Sequence, residues 1–96
     1  MTVYAVALLS IHDREEYANY EAGFLEIFAR HDGKILSVDE APEILEGEWP
    51  HTRTVLLEFP SAQALDDWYR SDDYQALAQH RFNASTGSIV RIQGLG

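Results

Sequence analysis

The sequence predicts an α+β domain of four strands and two helices in the order βαββαβ, and three observations carry that prediction. Four short segments rich in β-branched and aliphatic residues read as strands, and the stretches after the first and third carry apolar residues at three- and four-residue steps. Glycine, proline, aspartate and serine fall at the junctions between them. A chain of 96 residues, moreover, accommodates one core, because two would leave each half too small to offset chain entropy. Residues 1–96 are therefore read as a single domain, with no repeat, linker or low-complexity segment.

Val3 to Leu9 is apolar on both alternating sets, Val3/Ala5/Ala7/Leu9 and Tyr4/Val6/Leu8, the pattern of a strand covered on both sides. Asp13 stands at an N-cap position with Glu16 three residues on, a capping-box spacing. Tyr17, Tyr20, Phe24, Ile27 and Phe28 then form one stripe of a helix. Gly33, after His31 and Asp32, is expected to take the left-handed conformation that ends a helix at little steric cost. Lys34 to Asp39 is the second strand. Glu40 to His51, holding Pro42, Gly47 and Pro50, reads as a long loop whose Ile44, Leu45 and Trp49 are expected to fold back onto the body.

Thr52 to Phe59 is the third strand, stopped by Pro60. Ser61 caps a second helix bearing Ala62, Leu65, Trp68 and Tyr69, which Ser71-Asp72-Asp73 breaks and recaps before Tyr74, Leu77, Ala78 and Arg81. Gly87 to Gln93 is the last strand. Right-handed crossovers place the first and third strands centrally and the fourth and second at the edges. The result is a ferredoxin-like, four-stranded antiparallel sheet with its helices on one face.

Those helices leave one face bare, yet the first strand is apolar on both. A second copy of the chain is expected to cover the open face, giving a homodimer that encloses a partly polar cavity between facing sheets. Val55, Leu57 and Phe59 are assigned to the helix side, and Thr54, Leu56 and Glu58 to the open side. The same logic turns Val90 and Ile92 inward and sets Ile89 and Arg91 on the open face beside Leu56 and Glu58.

A formal charge of −9 with no basic cluster disfavours nucleic acid and anionic membranes as partners. The absence of cysteine removes disulfides, thiolate nucleophiles and iron–sulfur clusters. No apolar run approaches the roughly 20 residues that span a bilayer, and Met1 to Tyr4 lacks a basic leader region, so a cytoplasmic protein is expected. His12, His31, His51 and His80 show no metal-ligand spacing, and neither a Gly-x-Ser-x-Gly elbow nor a phosphate-binding glycine loop occurs. No metal or other cofactor is expected.

Two groups of residues are candidates for chemistry. Glu58, desolvated and raised in pKa, would act as general base or acid while Arg91 holds an anionic or carbonyl group; alternatively the two form an interface salt bridge. Where the loop enters the third strand, Trp49 would stack on an apolar ligand, His51 would shuttle a proton and Arg53 would bind an anion. Otherwise Trp49 anchors the loop, Arg53 pairs with a nearby glutamate and His51 faces solvent. Tyr20 is a candidate pocket-lining residue, because a buried hydroxyl needs a partner that a ligand could supply. His80 and Arg81, on the last helical turn, are read as interacting with helix-end carbonyls.

The segments Glu46-Gly47-x-Trp49 followed by Arg53, Glu58-Phe59-Pro60-Ser61, and Trp68-Tyr69-x-Ser71-x-x-Tyr74 followed by Arg81 resemble the DUF1330 family, over Tyr4 to Gly94. The resemblance implies a dimeric α/β barrel in which two ferredoxin-like sheets face one another. The wider superfamily that it resembles includes cofactor-free monooxygenases, muconolactone-isomerase-like enzymes and ligand-sensing domains. The function expected is that of a homodimeric small-molecule-binding protein. It would serve as a cofactor-free enzyme, by proton transfer or monooxygenation on a hydrophobic carbonyl-bearing substrate, or alternatively as a non-catalytic sensor or carrier.

Overall fold

The computed structural model describes residues 1–96. Its elements are β1 (Val3–Ile11), α1 (Arg14–Phe28), β2 (Lys34–Asp39), β3 (Arg53–Phe59), α2 (Ala62–Tyr69), α3 (Asp72–Ala84) and β4 (Ser85–Gln93). The strands form one antiparallel sheet in the order β2-β3-β1-β4, the arrangement that right-handed crossovers require.

Local chemistry sets the helix boundaries. The Asp13 carboxylate accepts a hydrogen bond from the Glu16 backbone N–H at 3.1 Å and starts α1. The reciprocal half of the capping box is not made. The Asp13 N–H donates instead to the Ala84 carbonyl at 3.2 Å, and the Glu16 carboxylate meets His80 Nδ1 at 2.8 Å, tying α1 to α3. That hydrogen bond holds the Glu16 carboxyl below the usual carboxylate range. Ser61 caps α2 by accepting from the Ala64 N–H, and Ser71 caps α3 by accepting from the Tyr74 N–H while donating to the Trp68 carbonyl. The expected break in the second helix is therefore a change of direction held by one serine.

The turn after α1 works differently from the expectation. Gly47, at φ +81°, is the one residue with positive φ, so Gly33 is not a left-handed helix stop. Its absent side chain matters for space: a Cβ there would stand 2.5 Å from the Phe28 ring and 2.8 Å from the Phe59 ring. Glycine lets the entry to β2 lie directly on the aromatic core.

That core joins Val3, Ala5 and Leu9 of β1 to Leu57 and Phe59 of β3, beneath Tyr17, Tyr20 and Phe28 of α1, Trp68 of α2 and Tyr74 of α3. Trp68 is its hub, with ring centroids 4.4 Å from Tyr74, 5.4 Å from Phe59 and 5.7 Å from Phe28.

The β4 frame corrects the sequence-based assignment. Ile89 lies opposite Ala7 and Arg91 opposite Ala5, on the helix side, whereas Val90 and Ile92 lie opposite Val6 and Tyr4 on the open face. Val90 and Ile92 are about half exposed, at 51% and 47%. A one-residue slip inverts every side chain of a strand, and the near-equal apolarity of the two faces left that frame undetermined by pattern. The long loop also departs from expectation: Ile44 and Leu45 stay exposed, and it is held at its start by the pairing of Glu40 with Arg14 and Arg53 and again at its end. There Trp49 Nε1 donates to Thr54 Oγ1 at 3.2 Å and Ser10 Oγ donates to the Pro50 carbonyl at 3.3 Å. No helix is long and apolar enough to cross a membrane.

Candidate functional site

Ala5 and Ala7 are the small residues on the helix side of β1, and the rings of α1 and α2 do not fill the space above them. A cavity of about 240 Å³ results. Ala5, Ala7, Val55, Leu57 and Ile89 form its floor, with Tyr17, Tyr20 and Phe24 above and Trp68, Tyr74 and Arg81 among its wall residues. Glu21, Leu25, Ile35 and Val38, all exposed, mark the open side, together with Arg53.

Arg81 is the unusual member of this lining. It is only 6% exposed, and no carboxylate pairs with it. Its Nε and Nη2 find no acceptor in the protein. The guanidinium lies 5.7 Å from the Tyr20 ring centroid and 4.8 Å from that of Phe82, so ring faces give it partial compensation. Burial opposes its charge, but the Tyr74 and Tyr20 phenols beside it outweigh that effect and hold its pKa above the ordinary arginine value. The site therefore keeps a permanent positive charge in an apolar wall.

Beside it, Tyr20 Oη and Tyr74 Oη are 2.7 Å apart and share a hydrogen bond. Burial pushes the Tyr20 phenol far above the usual tyrosine range, and Tyr74 adds to the shift; burial also raises Tyr17, against the opposing charge of Arg53. An unfolded tyrosine ionises near pH 10.0, whereas folded Tyr20 keeps its proton to higher pH. Its contribution to stability is thus complete below about pH 10 and lost above it. Tyr20→Phe is expected to cost about 1 kcal/mol at neutral pH, by removing one hydrogen bond. It should also make the alkaline fall in melting temperature shallower than in the wild type. Melting curves between pH 7 and 11 read both effects, and identical alkaline slopes would contradict the assignment.

At the open side, Arg53 of β3 pairs with Glu21 of α1 at 3.3 Å and with Glu40 at 3.2 Å, and its guanidinium lies 5.4 Å from the Tyr17 ring centroid. Glu40 also receives Arg14 at 2.8 Å, and that bond, followed by the one from Arg53, holds its carboxyl below the usual range. Arg53 is accordingly balanced by carboxylates, whereas Arg81 is not.

Of the residues singled out from the sequence, Tyr20 and Arg53 come together in this cavity. Glu58 lies opposite Tyr4 on the open face. Arg91 lies on the helix side near Asp66 of α2, at 3.5 Å, so the two are on opposite faces of the sheet and share no cavity within the chain. Trp49 and His51 pack edge to face at 5.1 Å beside Thr54 of the open face, away from the cavity, and His51 Nδ1 is buried without a partner. Arg81, Trp68 and Tyr74 were not anticipated as site residues. The available signal was Arg81 itself, a charge on the same helical stripe as Tyr74, Leu77 and Ala78.

Solved structures share this fold. A protein of unknown function from Rhodopseudomonas palustris matches with a TM-score of 0.80 at 20% identity, over 99% of this chain and 83% of that one. SnoaB, a cofactor-independent oxygenase from Streptomyces nogalater, matches with a TM-score of 0.69 at 15% identity, over 99% of this chain and 94% of that one. A dimeric ferredoxin-like protein of unknown function from Thermobifida fusca matches with a TM-score of 0.68 at 9% identity, over 98% and 92%. No curated protein matches the chain. The model of the family described as a domain of unknown function, DUF1330, matches residues 2–95, and the chain belongs to that family.

Proposed function

We propose that this protein binds a small molecule in the cavity between its helices and its sheet, and that it does so as a homodimer joined through the open sheet faces. The carrying observation is the cavity itself. Protein interiors are packed to crystal-like density, and leaving space of this size under a small core costs on the order of a few kcal/mol. Apolar walls with a few polar groups are the usual make-up of a ligand site. At about 240 Å³ the space suits a ligand smaller than a typical drug.

The test is to fill the space. Ala7→Leu would project a larger side chain from the cavity floor. It is expected to abolish binding of a small aromatic ligand such as 2-naphthoate, followed by quenching of tryptophan fluorescence, while the protein stays folded. Undiminished binding would contradict the assignment of the ligand to this cavity.

Dimerisation rests on the open face, where Val90 and Ile92 are half exposed beside Tyr4, Val6 and Leu56. A single chain gains nothing from holding such residues in water. Sedimentation at twice the chain mass, reverting to the single mass in Val90→Glu, is the expected result. An unchanged mass in Val90→Glu would exclude this face as the interface.

An enzymatic use of the cavity, by proton transfer or monooxygenation without a cofactor, is the second reading. Two observations favour it: the fold shared with a cofactor-independent oxygenase, and Arg81, which would stabilise negative charge developing on a carbonyl oxygen. Binding without turnover is preferred because the one carboxylate of the lining, Glu21, is already paired with Arg53. Glu58 and His51 could enter such chemistry only from the open face. A ligand recovered unchanged after aerobic incubation supports the carrier or sensor, and its conversion supports the enzyme.

A further inference from the structure

We infer that the molecule held in the helix-face cavity is a small oxyanion on a flat apolar body, of the aromatic-carboxylate kind, and that Arg81 is the residue that recognises its charge. This rests on the reading of that cavity as a ligand site and goes beyond it by naming what the site selects.

The charge balance of the lining supports the inference. Three of its residues are charged: Arg53, Glu21 and Arg81. Arg53 and Glu21 are paired with each other at the open side, and Glu40 supplies Arg53 with a second carboxylate. Arg81 is left as the one charge with no carboxylate beside it, 6% exposed, with Nε and Nη2 lacking any protein acceptor. A buried cation without a counter-charge is among the costliest arrangements a fold can hold, and a ligand anion would complete it. Guanidinium favours planar oxyanions such as carboxylates, which it meets with two parallel hydrogen bonds.

The remaining wall specifies the body of the ligand. Tyr20, Phe24, Trp68 and Tyr74 offer ring faces and edges, and the Ala5 and Ala7 floor is smooth and small, which suits a flat hydrophobic group. Trp68 Nε1 and, at the open side, Arg53 Nε are further buried donors with no acceptor. Tyr20 and Tyr74 share a hydrogen bond with each other, and burial holds the Tyr20 phenol in its neutral form. The net charge of −9 does not oppose this specificity at short range, because exposed charges are screened over about 8–10 Å at physiological salt, whereas Arg81 acts locally in an apolar wall.

Calorimetric titration of the whole protein with 2-naphthoate and with its neutral isostere 2-naphthamide separates binding in the cavity from recognition of the charge. Wild type is expected to bind the naphthoate on the order of tenfold or more tighter than the amide. Arg81→Met should lose that preference while still binding the amide. Equal affinity of the wild type for both probes would overturn the charge assignment while leaving the cavity reading standing. Failure of both probes to bind the wild type would overturn the cavity reading, and this inference with it. A naphthoate preference that survives Arg81→Met would place the anion elsewhere. The wild-type comparison needs no substitution, so the outcome does not depend on how a variant folds.

Discussion

Arg81→Met is expected to make the ligand-free protein more stable, by about 1–3 kcal/mol. Replacing buried charges with apolar groups of similar volume is often stabilising by about 1–4 kcal/mol even when the charge had a partner. Arg81 has no carboxylate partner. Its stacking over Tyr20 and Phe82 offsets part of the cost, at about 0.5–2 kcal/mol for a cation over a ring, which sets the lower end of the range. For a domain of this size, each kcal/mol corresponds to roughly 4–8 °C in melting temperature. Scanning calorimetry without ligand would show the rise. A lower melting temperature in the variant would mean that Arg81 holds α3 in place, and that its burial is structural. A residue whose removal stabilises the fold and erases the preference for an anion is the signature of a site maintained for function at the expense of stability.

Trp68→Ala is expected to have the largest destabilising effect of any single change considered, a loss of about 3–5 kcal/mol. The indole is 2% exposed and touches rings from α1, β3 and α3, so truncation removes apolar area and enlarges the existing cavity at the same point. Against a total stability of about 5–15 kcal/mol, this approaches unfolding. Trp68→Phe keeps most of the packing and drops only the unpartnered indole N–H, so it should cost much less. Urea denaturation of both variants would check the ordering, and equal losses would show that the N–H, and not the volume, is what the core needs.

The element order, the central position of β1 and β3 and the serine-capped break between α2 and α3 were legible in the sequence because each depends on local chemistry or on a handedness rule. The frame of β4 was not. Ile89, Val90 and Ile92 are all apolar, and the sheet has an apolar face on each side, so period-two reasoning had nothing to choose between. That one slip carried Arg91 to the wrong face and with it the supposed pairing with Glu58. Gly33 was read as a left-handed helix stop, whereas its role is close approach to two rings.

The cavity was illegible for a deeper reason. It is the space that Ala5 and Ala7 fail to fill beneath α1, and unfilled space depends on how layers sit over one another, which no local pattern encodes. Tyr20 and Arg53, which both line the cavity, were singled out because a buried hydroxyl and a strand-entry arginine are conspicuous by residue type. Arg81 sat equally plainly on the Tyr74, Leu77 and Ala78 stripe, but position near a helix end offered a simpler explanation, that of contact with free carbonyls.

The chain has two tryptophans, and the fold puts them on opposite sides of the sheet: Trp68 in the cavity wall, Trp49 docked on Thr54 of the open face. A ¹H–¹⁵N correlation spectrum followed during addition of 2-naphthoate, with the indole signals assigned through Trp49→Phe, therefore locates the ligand directly. The Trp68 indole resonance is expected to shift while that of Trp49 stays in place; movement of Trp49 alone would put the ligand on the open face of the sheet and contradict its assignment to the cavity.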